Sequence, residues 1–387
     1  TALALSTDLT PGQLVYLWCF ANLPGSLLLG LVLCRALRAI SPLVMAFAVL
    51  AFTGAALLVT LAGGSDSFLR LLVSLVAPLG LGAVTVFIAM HLAGFLLLGW
   101  LGWHLLRRLG RAYEDKRFST RALAVNAVWM LFAVLHCFTL SFEGWAWIFT
   151  GIVAYMAFLF VFRFMCKRLA LDRSAHKAHS LLLLRVFALG GRSRSLYDQL
   201  AARCLRVGPI DLIAGPDLAT ATVETNEILA FSAGKLDSLF LDNSEVLEDS
   251  LVRRDRSPDP DGQFRVNEYF CRNHIWRAAV RRLAREDDVV LMDLRSFSEH
   301  QGGCRWELQQ LLSIVPLRQV LLLVDATTDI KYLEQTLLTL WQTVPTESPN
   351  AQGACIRILY TELTVSAAAE NAVALLGAIA SGDEAAM

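Results

Sequence analysis

Apolar stretches long enough to cross a lipid bilayer occupy the first 168 residues and constrain this chain more than any other feature. A helix needs roughly 20 apolar residues to cross a hydrocarbon core of about 30 Å. Five stretches qualify, at about 13–34, 42–62, 80–105, 122–142 and 145–165, and none holds an Asp or Glu, as the cost of burying charge demands. The apolar run from Phe68 to Leu106 is longer than one span. Arg70, Pro78 and Gly80 interrupt it, so 68–79 reads as an interfacial or kinked lead-in, and six spans is the competing count. With 56% hydrophobic and 18% charged residues and a mean hydropathy of +0.52, the composition excludes a wholly soluble, disordered or collagen-like chain. Eight scattered Cys without CxxC pairs argue for thiols in a reducing compartment.

The formal net charge of zero hides a partition. Residues 1–168 hold 12 Lys/Arg and 5 Asp/Glu, which leaves 22 and 29 for residues 169–387. Short loops rich in Lys and Arg stay on the cytoplasmic side. Arg35 and Arg38 follow the first span, six basic residues from Arg107 to Arg121 follow the third, and Arg163, Lys167 and Arg168 close the fifth. Asp8, Asp66 and Glu143 lie in the opposite loops, and Trp18, Trp147, Trp100 and Trp103 read as interfacial belts. We therefore expect a multi-pass protein of an inner (plasma) membrane, N-terminus outside and residues 169–387 in the cytoplasm. No cleavable signal peptide is expected, because no basic stretch precedes the long first apolar run. His91 and His136 lack carboxylate partners in the spans and read as packing residues, while Gly54, Ala55, Ala56, Gly82 and Ala83 suit close helix approach.

Residues 169–180 read as a juxtamembrane linker whose His176 and His179, among Arg168, Arg173 and Lys177, suit anionic lipid heads. From 181 to 387 short apolar runs alternate with amphipathic stretches, which predicts a doubly wound, mainly parallel five-stranded α/β sheet of Rossmann-like type. The strands are expected at Leu182–Leu189, Ile210–Ala214, Val289–Leu294, Val320–Asp325 and Ile356–Thr361. Helices are expected at about 194–206, 224–240, 275–286, 304–315, 329–343 and 365–381. Residues 242–274, with the turn-forming Ser257-Pro258-Asp259-Pro260-Asp261-Gly262, break the rhythm and read as an insertion, with Phe264 to Phe270 a candidate further strand at its end.

In such sheets ligands collect at the carboxyl ends of the strands. The loop Leu189-Gly190-Gly191-Arg192-Ser193-Arg194 after the first strand fits either a phosphate cradle or a plain capped turn. Asp217, after the second, reads as a ribose contact or a helix N-cap. The third strand ends in Asp293, with Arg295 and Ser296 beyond it, and Gly303-Cys304-Arg305-Trp306-Glu307-Leu308 opens the next helix. Asp293 and Glu307 are expected to face one crevice, with Asp325 at the rim; the alternative for Glu307 is a favourable charge at a helix N-terminus. His274, His300, Cys271 and Cys304 match no zinc spacing, and a net acidic half without a basic stripe argues against nucleic acid.

Around 287–308 the sequence resembles the TIR-domain superfamily, whose strand-loop-helix region carries a Cys-x-x-Glu pattern matched by Cys304 and Glu307. It is similar as well to the nucleoside 2-deoxyribosyltransferase-like fold through Trp306-Glu307-Leu308. The resemblance implies that Glu307, assisted by Asp293, acts on the N-glycosidic bond of NAD or another nucleotide, as substrate or ligand; no other cofactor is implied. The departures are Gly303 in place of the TIR tryptophan and Phe187-Ala188-Leu189 in place of Ser-Tyr followed by an acid. Three readings result: a membrane-anchored signalling or defence protein, as a homo-oligomer, that senses a nucleotide-derived ligand or a like domain; a nucleotide N-glycosidase; or a channel or transporter gated by the domain.

Overall fold

The computed structural model describes residues 40–76, 78, 83–140, 143–144, 147, 149–169, 178–185, 191–214, 240–272, 275–353 and 355–361, with scattered residues before 35 and after 369. The chain forms two compact units, the first running to Met165 and the second beginning at Cys166.

The first unit contains α1 (Ser41–Gly63), α2 (Asp66–Val76), α3 (Ala83–Glu114), α4 (Thr120–Leu140) and α5 (Thr150–Arg168). Among the described residues four helices, α1, α3, α4 and α5, are long and apolar enough to cross a membrane. The count is thus four rather than five, and most of the expected span at 13–34 lies outside the described residues. The 11 residues of α2 are too few to cross, and they form the lead-in expected before Pro78. Large apolar side chains face outward, with Leu97 63%, Trp100 61% and Phe160 72% exposed, a distribution suited to lipid as solvent.

Backbones meet where side chains vanish. A Cβ on Gly54 of α1 would stand 2.2 Å from the Gly94 carbonyl oxygen of α3, and the reverse holds for Gly94, so only glycine permits this crossing. Between α4 and α5 the Tyr155 hydroxyl donates to Asn126 Oδ1 at 3.3 Å. His91 Nδ1 lies 2.9 Å from the Phe87 carbonyl oxygen one turn back, with its ring against that of Phe87.

Among the described residues the second unit holds a sheet of seven parallel strands, not five: β1 (Leu181–Arg185), β2 (Ile210–Ala214), β3 (Phe240–Leu241), β4 (Val266–Cys271), β5 (Val289–Asp293), β6 (Val320–Val324) and β7 (Arg357–Tyr360). Their order is β3-β4-β2-β1-β5-β6-β7. Every residue of β5 and β6 is buried, which explains why both are apolar throughout except for Asp293 at the end of β5. In contrast β4 contains Asn267 and Glu268. Asn267 pairs in register with Asp211 of β2 and donates to its carboxylate at 2.8 Å, so its polarity is satisfied by a partner far away in sequence.

Residues 242–274 are therefore no appendage to the sheet. They supply α7 (Ser244–Val252), which Asn243 caps by accepting from the Val246 N–H, and the whole of β4. The tail of the expected first strand, 186–189, lies outside the described residues. So does the expected helix at 224–240, apart from Phe240, which opens β3, and so does most of the expected helix at 365–381.

Helix α6 (Gly191–Cys204) covers one face of the sheet through Leu200 and Cys204. On the other face lie α7, α8 (Ile275–Glu286), α9 (Gly302–Ile314) and α10 (Ile330–Trp341), through such residues as Leu247, Val280, Leu308 and Leu333. Strand order reverses between β1 and β5, and the carboxyl ends of these two strands define the switch point at which open α/β sheets bind ligands.

Candidate functional site at the carboxyl ends of the strands

The buried stripe of α9 comprises Cys304, Glu307, Leu308, Leu311 and Leu312. Glu307 therefore occupies a position where helical periodicity calls for a leucine. It is 2% exposed, its Oε2 meets no hydrogen-bond partner among the described residues, and burial pushes its carboxyl up to about 8. Burial thus favours the neutral form of Glu307. Because α9 starts at Gly302 and has no acid in its first turn, the helix-end charge considered from sequence is not the role of Glu307.

Asp293, the last residue of β5, is 3% exposed and is held by Arg295. The guanidinium donates from Nε to Oδ1 at 2.8 Å and from Nη2 to Oδ2 at 2.7 Å, and the Arg295 N–H adds a bond at 3.2 Å. Burial works against the charge on Arg295, but the hydrogen bonds and charge of Asp293, with the charge of Asp325, outweigh it and raise its pKa. The Cys304 thiol senses both acids. Burial first, then the charges of Glu307 and Asp293, push it well above the usual thiol range. The structure thus gathers Asp293 and Glu307 around Cys304, yet both are buried rather than lining an open cleft among the described residues.

The rim is built by the turns after β5 and β6. Ser296 adopts φ +62°, a left-handed conformation that non-glycine residues rarely take without a functional or structural reason. Its hydroxyl lies 2.9 Å from Thr327 Oγ1, and Asp325 Oδ1 accepts from the Thr327 N–H at 2.9 Å and hydroxyl at 2.5 Å. Asp325 is thereby spent on its own turn, while Asp329 caps α10 by accepting from the Tyr332 N–H at 3.0 Å. The polar chain runs from Ser296 through Thr327 to Asp325.

On the β1 side, Gly191, Arg192 and Ser193 fall in the first turn of α6 rather than in a loop. Gly190 and Asp217 lie outside the described residues. Arg185, which the sequence reading passed over, ends β1 in register with Asp293; a charged residue closing an apolar strand was the signal. Among the described residues no three His, Cys, Asp or Glu side chains converge to hold a metal ion.

A second cluster of buried charge lies at the amino-terminal edge. Arg254, after α7, pairs with Asp211 of β2 and with Asp287 before β5, and its Nη1 lies 3.4 Å from Glu286. Burial pushes the Asp211 carboxyl up, against the pull of Arg254 and Asn267. Nearby, the buried Tyr269 hydroxyl has no hydrogen-bond partner among the described residues.

Compared with known proteins, the chain matches no family model, no curated protein and no solved structure.

Proposed function

We propose that the protein is a membrane-anchored signalling or defence protein whose α/β unit, on the cytoplasmic side of an inner membrane, takes a nucleotide-derived ligand at the switch point between β1 and β5. The observation that carries this reading is Glu307, a buried acid whose Oε2 meets no hydrogen-bond partner among the described residues, on the helix that follows the switch-point strand β5. A buried polar group left unpaired costs about 1–3 kcal/mol, and a leucine at this position would avoid that cost. Strain at Ser296 next to the same strand end supports the same place. A protonated carboxyl donates a hydrogen bond to a ligand acceptor. Arg295, anchored on Asp293, supplies positive charge at the tip of β5.

The resemblance to TIR-type and deoxyribosyltransferase-like domains supports a second reading, cleavage of an N-glycosidic bond. Stabilising a ribosyl cation requires ionised Glu307, and the ligand-free site holds it neutral. A cationic nicotinamide ring drawn against the carboxyl would favour the ionised form, so this reading makes NAD the natural probe. The test titrates the detergent-solubilised full chain with NAD while following thermal stability and nicotinamide release, in the parent and in Glu307→Gln. Stabilisation without release supports the sensor. Release that disappears in Glu307→Gln supports the glycosidase. Release undiminished by that substitution refutes the role of Glu307, and a protein indifferent to NAD on both counts refutes NAD as its ligand.

A further inference from the structure

We infer that the outer face of α8 and the neighbouring end of α9 dock onto anionic lipid headgroups. In α8, Ile275, Ala279, Val280, Leu283 and Ala284 are buried in the core of the unit. On the opposite side Arg277, Arg281 and Arg285 recur every fourth residue, exposed, and form one stripe along the helix, which corrects the expectation that this half lacks a basic stripe. Exposed Arg305 of α9 adds a fourth charge beside Trp306. None of the four has a carboxylate partner among the described residues. The nearby acids Glu248 and Glu286 engage Arg282 instead, at 3.6 and 2.9 Å.

Two tryptophans floor this stripe. The Trp276 and Trp306 rings meet edge to face with centroids 5.0 Å apart. Arg277 lies 5.4 Å from the centroid of each ring, and Arg281 lies 5.3 Å from that of Trp306. Stacking on an indole holds a guanidinium flat without consuming its in-plane N–H donors, the donors that grip phosphate oxygens in pairs. Arg281 spends one of these on Gln310, at 2.8 Å.

Like charges four residues apart on a helix repel, and this row stands in a segment, 169–387, that is net acidic, with 22 basic against 29 acidic residues. Such a row is complementary to an anionic surface. A bilayer fits better than an acidic protein, because the same chain carries four helices able to cross a membrane and because Trp with Arg is the residue pair of the headgroup layer. The apolar stripe of α8 is already committed to the core, so contact occurs at headgroup depth without insertion. This inference is independent of the strand-tip reading.

The test reconstitutes the full chain in nanodiscs of phosphatidylcholine alone or mixed with phosphatidylglycerol. Oxidative footprinting by mass spectrometry then reads Trp276 and Trp306 separately. The expected result is several-fold slower oxidation of both in the anionic discs, reversed by high salt and by Arg277→Gln/Arg281→Gln, which leaves the buried stripe intact. Equal oxidation in the two lipids overturns the inference. So does protection that ignores lipid charge and salt, and so does protection that appears only in discs holding two copies, which assigns the face to self-association.

Discussion

At the amino-terminal edge of the sheet, Asp211 and Asp287 share Arg254, and Asn267 adds a hydrogen bond. At the carboxyl edge Asp293 has its own Arg295, but Glu307, as deeply buried as the others, has no cation and holds its proton instead. The first cluster ties β2, β4, the segment after α7 and the entry to β5 into one edge, although Asp287 Oδ2 and Arg254 Nε, like Glu307 Oε2, meet no hydrogen-bond partner among the described residues. Glu307 ties nothing together among the described residues. Acids that share a buried cation are explained by the segments they join, whereas an acid with no cation among the described residues, on the helix after a switch-point strand, points to something outside the fold.

That contrast can be broken by substitution. Arg254→Met leaves two buried carboxylates without their shared cation and should destabilise the α/β unit by about 3–5 kcal/mol, read as faster hydrogen exchange in β2 and β4. A loss below about 1 kcal/mol would mean that the network is dispensable.

The pH dependence sharpens the other side. Folding favours neutral Glu307, while the unfolded chain ionises it above about 4.5. The stability contributed by this group is therefore complete below that pH, declines as pH rises, and is lost above about 8, a change of a few kcal/mol. Urea titrations of the solubilised protein across this window should show a slope that Glu307→Gln removes. Equal slopes in parent and variant would place the acid in contact with water.

At the strand tip, Ser296→Val should cost about 1–3 kcal/mol because a β-branched side chain tolerates the left-handed conformation poorly, whereas Ser296→Gly should stay within about 1 kcal/mol of the parent. Thermal denaturation of the pair separates backbone strain from the loss of the hydroxyl. The smallest effect is expected at Tyr269, whose buried hydroxyl lacks a partner among the described residues. Tyr269→Phe should be neutral or stabilising by about 1 kcal/mol, and marked destabilisation would reveal that this hydroxyl belongs to the Arg254 cluster.

Much of the second unit was legible in its sequence. The runs 289–292 and 320–324 are apolar without interruption, and the helices expected at 275–286, 304–315 and 329–343 lie within three residues of α8, α9 and α10 at either end. Strand β4 was legible only as a candidate strand from Phe264 to Phe270, because Asn267 and Glu268 interrupt its apolar pattern, and the polarity of Asn267 makes sense only beside Asp211, 56 residues away. The site was legible as a list more than as an arrangement. Asp293, Arg295, Ser296, Glu307 and Asp325 were all named, but Asp325 proved to serve its own turn and Arg295 to be clamped on Asp293.

What the amino-acid sequence determined alone follows from local periodicity: membrane-length apolar helices in one part, alternating strands and helices in the other, and a charge division between them. Period and propensity act over a few residues and are visible wherever those residues are written. Strand order, the union of Arg254 with two distant aspartates, and the proton on Glu307 were decided only by the tertiary structure. Each depends on which distant segments exclude water from a group, and burial of that kind has no signature in the neighbouring sequence.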